Sequence, residues 1–151
     1  MTLFWLSIST FGVCLASGFV PLINAEIYLL AASAATPRHA SLYLILMGTL
    51  GQMTAKVVMY YAGRGTIRLP AHRYSQAISR AAVHMERWRG RRDLMIFVSA
   101  FSGLPPFFAI SVLAGAVSAP LWRFVVAGFL GRLLRFTTVV LFPDLLKSLL
   151  P

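Results

Sequence analysis

The sequence predicts an all-α integral membrane protein with two inverted repeats. Each repeat is a re-entrant broken-helix hairpin followed by a transmembrane helix, and a basic amphipathic helix joins the two. Three observations predict this. Hydrophobic residues make up 58% of the 151 residues, charged residues 12%, and mean hydropathy is +0.76; a soluble domain carries about twice that share of charge. Two apolar stretches are interrupted by the same motif, Ser17-Gly18-x-x-Pro21 and Ser102-Gly103-x-x-Pro106. Eight arginines (64, 68, 73, 80, 87, 89, 91, 92) crowd the segment between the repeats, against Glu86 and Asp93.

Residues 3–35 form the first hairpin. Glu26 is the only charged side chain between Thr2 and Ala35, where Cys14 is the one thiol. The stretch is too long for one crossing, and a helix needs about 20 residues to cross the hydrocarbon. The piece before the break is marginal for that and the piece after it is too short, so a broken hairpin is expected, with a full first span as the alternative. Residues 40–62 form a continuous apolar run containing Lys56 and read as a span.

Residues 64–93 change character. Tyr74, Ile78, Ala81, Met85 and Trp88 recur at alternating steps of four and three, which marks one apolar stripe of a helix, and Arg73, Arg80 and Arg87 flank it at every seventh position. Such a helix is expected on an anionic membrane surface or, alternatively, packed on its own protein. Its arginine excess assigns it to the cytoplasm. Residues 94–118 form the second hairpin, broken at Ser102-Gly103-Leu104-Pro105-Pro106. Residues 119–142 form the last span, opened by Pro120, carrying Arg123, Arg132 and Arg135, and ended by Pro143-Asp144.

The halves also share Gly48-x-x-Gly51 and Gly128-x-x-Gly131 in their spans, expected to permit close helix packing. A hairpin returns to the side it left and the following span crosses once, so the second unit starts opposite the first. The repeats are therefore inverted, as in secondary transporters whose sites lie where broken helices meet. Unwound backbone survives at membrane depth only where protein or water satisfies its polar groups. Two breaks thus imply a shared polar cavity.

Glu26, with Asn24 beside it, stands five residues past the first break, and an ionisable group at membrane depth costs at least about 2.5 kcal/mol. It reads either as a headgroup or proton site or as the structural partner of Lys56, Arg132 or Arg135; of these, Arg135 is expected to snorkel to an interface. Ser17, Gly18, Pro21, Ser102, Gly103, Pro105 and Pro106 shape the breaks, whose half-helix N-termini favour an anionic group. His39, His72 and His84 are scattered, and no phosphate-cradling loop, nucleophile elbow or metal spacing occurs. Glu26 is the only acid within an apolar run, so a paired-carboxylate mechanism lacks its second member. Neither an enzyme nor a cofactor or metal is expected. The formal charge of +10 points to anionic lipid headgroups in this apolar setting, not to nucleic acid. The first twenty residues lack the positive start of a signal peptide and are taken as part of the fold.

Pro21 to Ala32, then Gly51-Gln-Met-Thr-Ala-Lys-Val-Val-Met-Tyr60-Tyr61-Ala-Gly63-Arg64, then Leu104-Pro105-Pro106 with Ala114-Gly115 and Pro120-x-x-Arg123-Phe124 together resemble the DedA family, the bacterial branch of the VTT (SNARE-associated) membrane proteins. The resemblance covers nearly the whole chain. It implies two facing re-entrant hairpins, a multi-pass protein of the cell (inner or plasma) membrane, and movement of phospholipids or lipid-linked phosphates between leaflets. Many members carry an acid at the position of Lys56, and the arginines that bracket the second proline appear here as Phe101 and Phe107. The resemblance therefore carries over Glu26 and not that arginine pair. The function expected is translocation or scrambling of lipid. The alternatives are transport of a small solute or ion, and a non-transporting scaffold that docks a partner through its basic helix. A homodimer would help so small a chain enclose a pathway.

Overall fold

Three helices are long and apolar enough to cross a membrane in the computed structural model, which describes residues 2–20, 23–65 and 75–149. They are α1 (Thr2–Phe19), α3 (Arg38–Gly63) and α7 (Leu121–Leu149); between them lie α2 (Ala25–Ala34), α4 (Ser75–Arg87), α5 (Arg92–Ser102) and α6 (Phe107–Ala116). At 1.5 Å per residue, α2, α5 and α6 reach only about 15–16 Å, half the hydrocarbon thickness, whereas α1 reaches about 27 Å. The two hairpins are thus unequal: the first arm of the first is a full-length apolar helix.

Two other boundaries depart from expectation. The basic segment is not one helix from 64 to 93. Helix α4 stops at Arg87, and a 3-10 turn at Arg89–Arg91 precedes α5. Gly90 lies in that turn, and a glycine among solvated arginines gives little reason to continue a helix. Pro143 does not end the last helix, because α7 continues through it to Leu149. An internal proline removes one backbone hydrogen bond and bends a helix, and in membrane proteins neighbouring groups often supply what it removes.

The chain divides into two compact units, Met1–Gln52 with Leu133–Pro151 and Met53–Arg132. In the first, α1 packs on α2 around Cys14, Ala25, Leu29, Leu44, Ile45 and Phe136. Gly51 lets α3 approach α1 so closely that a Cβ there would collide with the Phe11 carbonyl. Gly48 faces Cys14 and Leu29 at 3.2 Å.

In the second unit, α6 packs on both α4 and α5. Helix α6 also meets the end of α3 through two glycines, since a Cβ on Gly63 would strike the Val112 carbonyl and one on Gly115 the Tyr60 carbonyl. Tyr60 is fully buried, donates its hydroxyl to the Ala119 carbonyl at 2.5 Å and stacks on Phe124 with ring centres 5.3 Å apart. Phe124 in turn stacks on Phe107 at 6.0 Å. Gly131 opens α7 to Phe97 and Ala100 of α5, and Gly128 opens it to Phe107 of α6 and to Met53. In each unit the span's second glycine therefore faces the first arm of the hairpin, Gly51 against Phe11 and Gly131 against Phe97.

Candidate functional site

The first break is closed by local hydrogen bonds. Asn24 is the N-cap of α2; its side-chain oxygen accepts from the backbone N–H of Glu26 at 3.0 Å and of Ile27 at 3.3 Å, so this polar atom satisfies the start of the half-helix. Ser17 donates its hydroxyl to the Cys14 carbonyl at 2.8 Å, and beside it Gly18 is buried. Pro21 lies outside the described residues. Gln52, on α3, donates through Nε2 to Ser17 Oγ at 2.9 Å. Gln52 is only 7% exposed, and its Oε1 accepts no hydrogen bond among the described residues. Gln52 follows directly after Gly51 in the sequence.

Glu26 lies in the first turn of α2, where the helix dipole favours an acid, and accepts from Arg135 Nε at 2.5 Å. Both side chains are about one quarter exposed (28% and 25%). Arg135 thus points to Glu26, a correction to its expected interfacial course. The reason is that a carboxylate in the same unit offers the guanidinium a charge-assisted bond that an apolar interface does not.

The second break has a different chemistry. Gly103 adopts a left-handed conformation (φ 80°) as the C-cap of α5, which an L side chain strains to reach. Ser102 accepts from the Leu104 N–H at 3.1 Å and lies within reach of the Val98 and Leu104 carbonyls. Ser99 donates to the Pro105 carbonyl at 2.6 Å, and Pro106 is the N-cap of α6. Ser99 was not singled out from sequence, because one serine in an apolar helix carries no pattern.

Over this break lies Arg132 of α7, its guanidinium 5.1 Å from the centre of the Phe107 ring, a cation–π distance. Lys56 of α3 is 5% exposed and close enough to Arg132 for the two positive charges to act on each other. The second unit therefore gathers two cations of the spans near its hairpin break. The break also borders a cavity of about 460 Å³ shared with α4, and its lining is mainly apolar, unlike the polar cavity expected from sequence. Helix α4 packs on α6 and buries Met85 there, so one face of the basic helix is used inside the protein. Arg80 and Arg87 are on its exposed side, and Arg73 lies outside the described residues. No group of three or more His, Cys, Asp or Glu able to hold a metal exists among the described residues.

An all-helical protein with three long apolar helices and cations within its spans is a membrane protein. The family model of the VTT domain matches residues 20–145, from just after α1 through most of α7. The chain belongs to the DedA/VTT family of membrane proteins, whose members are generally associated with membrane transport. No curated protein and no solved structure matched the chain.

Proposed function

We propose that the protein moves a phosphate-bearing lipid between the leaflets of a membrane, with re-entrant hairpins and inverted repeats as its working parts. One observation carries the reading. Gln52 and Arg132 each directly follow the second glycine of the paired span motifs, and each reaches its own unit's hairpin break. Equivalent positions that each bring a polar group to the break within their own unit fit a protein in which a headgroup exchanges water for protein contacts while its tails stay in hydrocarbon. Lys56 and Arg132 suit an anionic headgroup by charge; Gln52 and Ser17 offer neutral hydrogen bonds.

Glu26 in this reading is not the headgroup contact. Its bond to Arg135 ties α2 to α7, and Asn24 caps α2. The test is reconstitution into liposomes carrying a fluorescent phospholipid, with a membrane-impermeant quencher reporting exposure at the outer leaflet. Folded Arg132→Gln and Gln52→Leu proteins should each slow lipid exchange at least about tenfold, as expected when a hydrogen bond to a charged group is lost along the path. Exchange by the unaltered protein no faster than in empty liposomes would overturn the lipid reading and favour a non-transporting scaffold.

A further inference from the structure

We infer that the groove between α4 and the tip of the second hairpin binds an anionic phospholipid, with one acyl chain along its apolar wall and the phosphate against Arg80. The cavity, about 460 Å³, falls within the range of small-molecule sites. Its wall includes Trp88, Val98, Leu104 and Pro105, with Arg80 and His84 as its charged and polar side chains. Leu104 is 74% exposed, and Val98 and Trp88 are exposed beside it. An apolar strip of that kind, left by a hairpin tip and a helix, marks a surface that something apolar covers.

The occupant follows from charge complementarity. Arg80 and His84 are four residues apart and share one face of α4. The ring is held by its Nδ1–H, which donates to the Arg80 carbonyl at 2.9 Å, and Nε2 is left as its remaining polar atom. A guanidinium presents paired donors that match a phosphate. A hydrocarbon chain alone has no use for that charge, and inorganic phosphate has no use for the apolar wall. An amphiphile with a phosphate at one end uses both. The arginine excess assigns α4 to the cytoplasmic side, where the leaflet is rich in anionic lipid. Binding is measured here without flux, so this inference and the transport reading fail independently.

The test uses the full chain in detergent with phosphatidylglycerol or phosphatidylcholine bearing a photoreactive group on one acyl chain, and peptide mass spectrometry to locate the adducts. Phosphatidylglycerol should label Val98, Leu104 or Trp88. Arg80→Gln should cut that labelling about tenfold while leaving thermal stability unchanged, since Arg80 is exposed. Val98→Trp, which fills the groove, should abolish adducts on Leu104. Equal labelling by phosphatidylcholine, indifference to Arg80→Gln, or adducts confined to α1 or α7 would overturn the inference. Competition by free fatty acid as effective as that by phosphatidylglycerol would overturn the phosphate assignment. Competition by inorganic phosphate alone would overturn the lipid.

Discussion

Replacing Glu26 with Gln keeps the size of the side chain and one acceptor while deleting the charge that faces Arg135. The pair is about one quarter exposed. Leaving an arginine without its anion at membrane depth costs about 2.5–3.5 kcal/mol on insertion scales, and breaking a buried pair costs about 3–5 kcal/mol. The Gln oxygen still accepts from Nε and offsets about 1 kcal/mol. The net loss is therefore about 2–3 kcal/mol. For a chain of this size each kcal/mol moves the midpoint by about 2–4 °C, so thermal unfolding in detergent should begin roughly 5–10 °C earlier. Arg135→Met in the same protein should recover most of that loss, because it removes the stranded cation and leaves an apolar side chain. The lipid-exchange rate of protein that remains folded should change little. Unchanged stability with exchange abolished would refute this argument and put Glu26 on the transport path.

The tight glycines make a second prediction. Gly115→Ala drives a methyl into the Tyr60 carbonyl and should cost about 1–3 kcal/mol by overpacking, whereas Gly12→Ala, with nothing within 4 Å, should leave the thermal midpoint within a degree or two. Topology makes a third. In a Cys14→Ser background, cysteines at Gln76 and Ser148 should label from opposite sides of the membrane, because a hairpin that returns and a span that crosses lie between them. Labelling of both from one side would remove the returning second hairpin. A cysteine at Thr2 labelling from the side opposite Gln76 supports a re-entrant first hairpin; the same side makes α1 a full span.

Much of the fold was legible because apolar run length and helix breakers act locally. The second break at Ser102-Gly103 and the short arms α2 and α6 follow from sequence without any partner, whereas Ser17 and Gly18 lie within α1, which runs on to Phe19. Other features were legible only as possibilities, because they depend on what folds nearby. Whether α4 packs on protein or lies on lipid is decided by α6, whose own sequence is apolar on every side and names no partner. Arg135 looked like a snorkelling residue because its direction depends on Glu26, 109 residues away. Asn24 looked like a headgroup contact, and only the start of α2 makes it a cap. The continuation of α7 through Pro143 was hidden for the opposite reason, since local rules argue for a stop there. Gln52 went unnoticed because its meaning comes from Ser17 and from the matching position of Arg132.

The ion pairs make one more point about how the units are held. Asp and Glu number four in the chain, and three of them face arginines across pairs that all involve α7: Glu26 with Arg135, Asp93 with Arg123 at 3.8 Å, and Asp144 with Arg38 at 3.0 Å. The last two pairs are half or more exposed and contribute little energy, but each fixes which residue of α7 stands beside α5 or α3. Helix α7 has no polar stripe to set its rotation, and its glycines set closeness more than angle. Scarce ion pairs spaced along one long helix supply the missing register. If this is their role, reversing a pair (Asp93→Arg with Arg123→Asp) should retain the thermal midpoint and lipid exchange of the unaltered protein, while Asp93→Arg alone sets two cations against each other and should reduce exchange more than it reduces stability. Equal losses in the single and reversed proteins would show that the Asp93–Arg123 pair does not orient the helix.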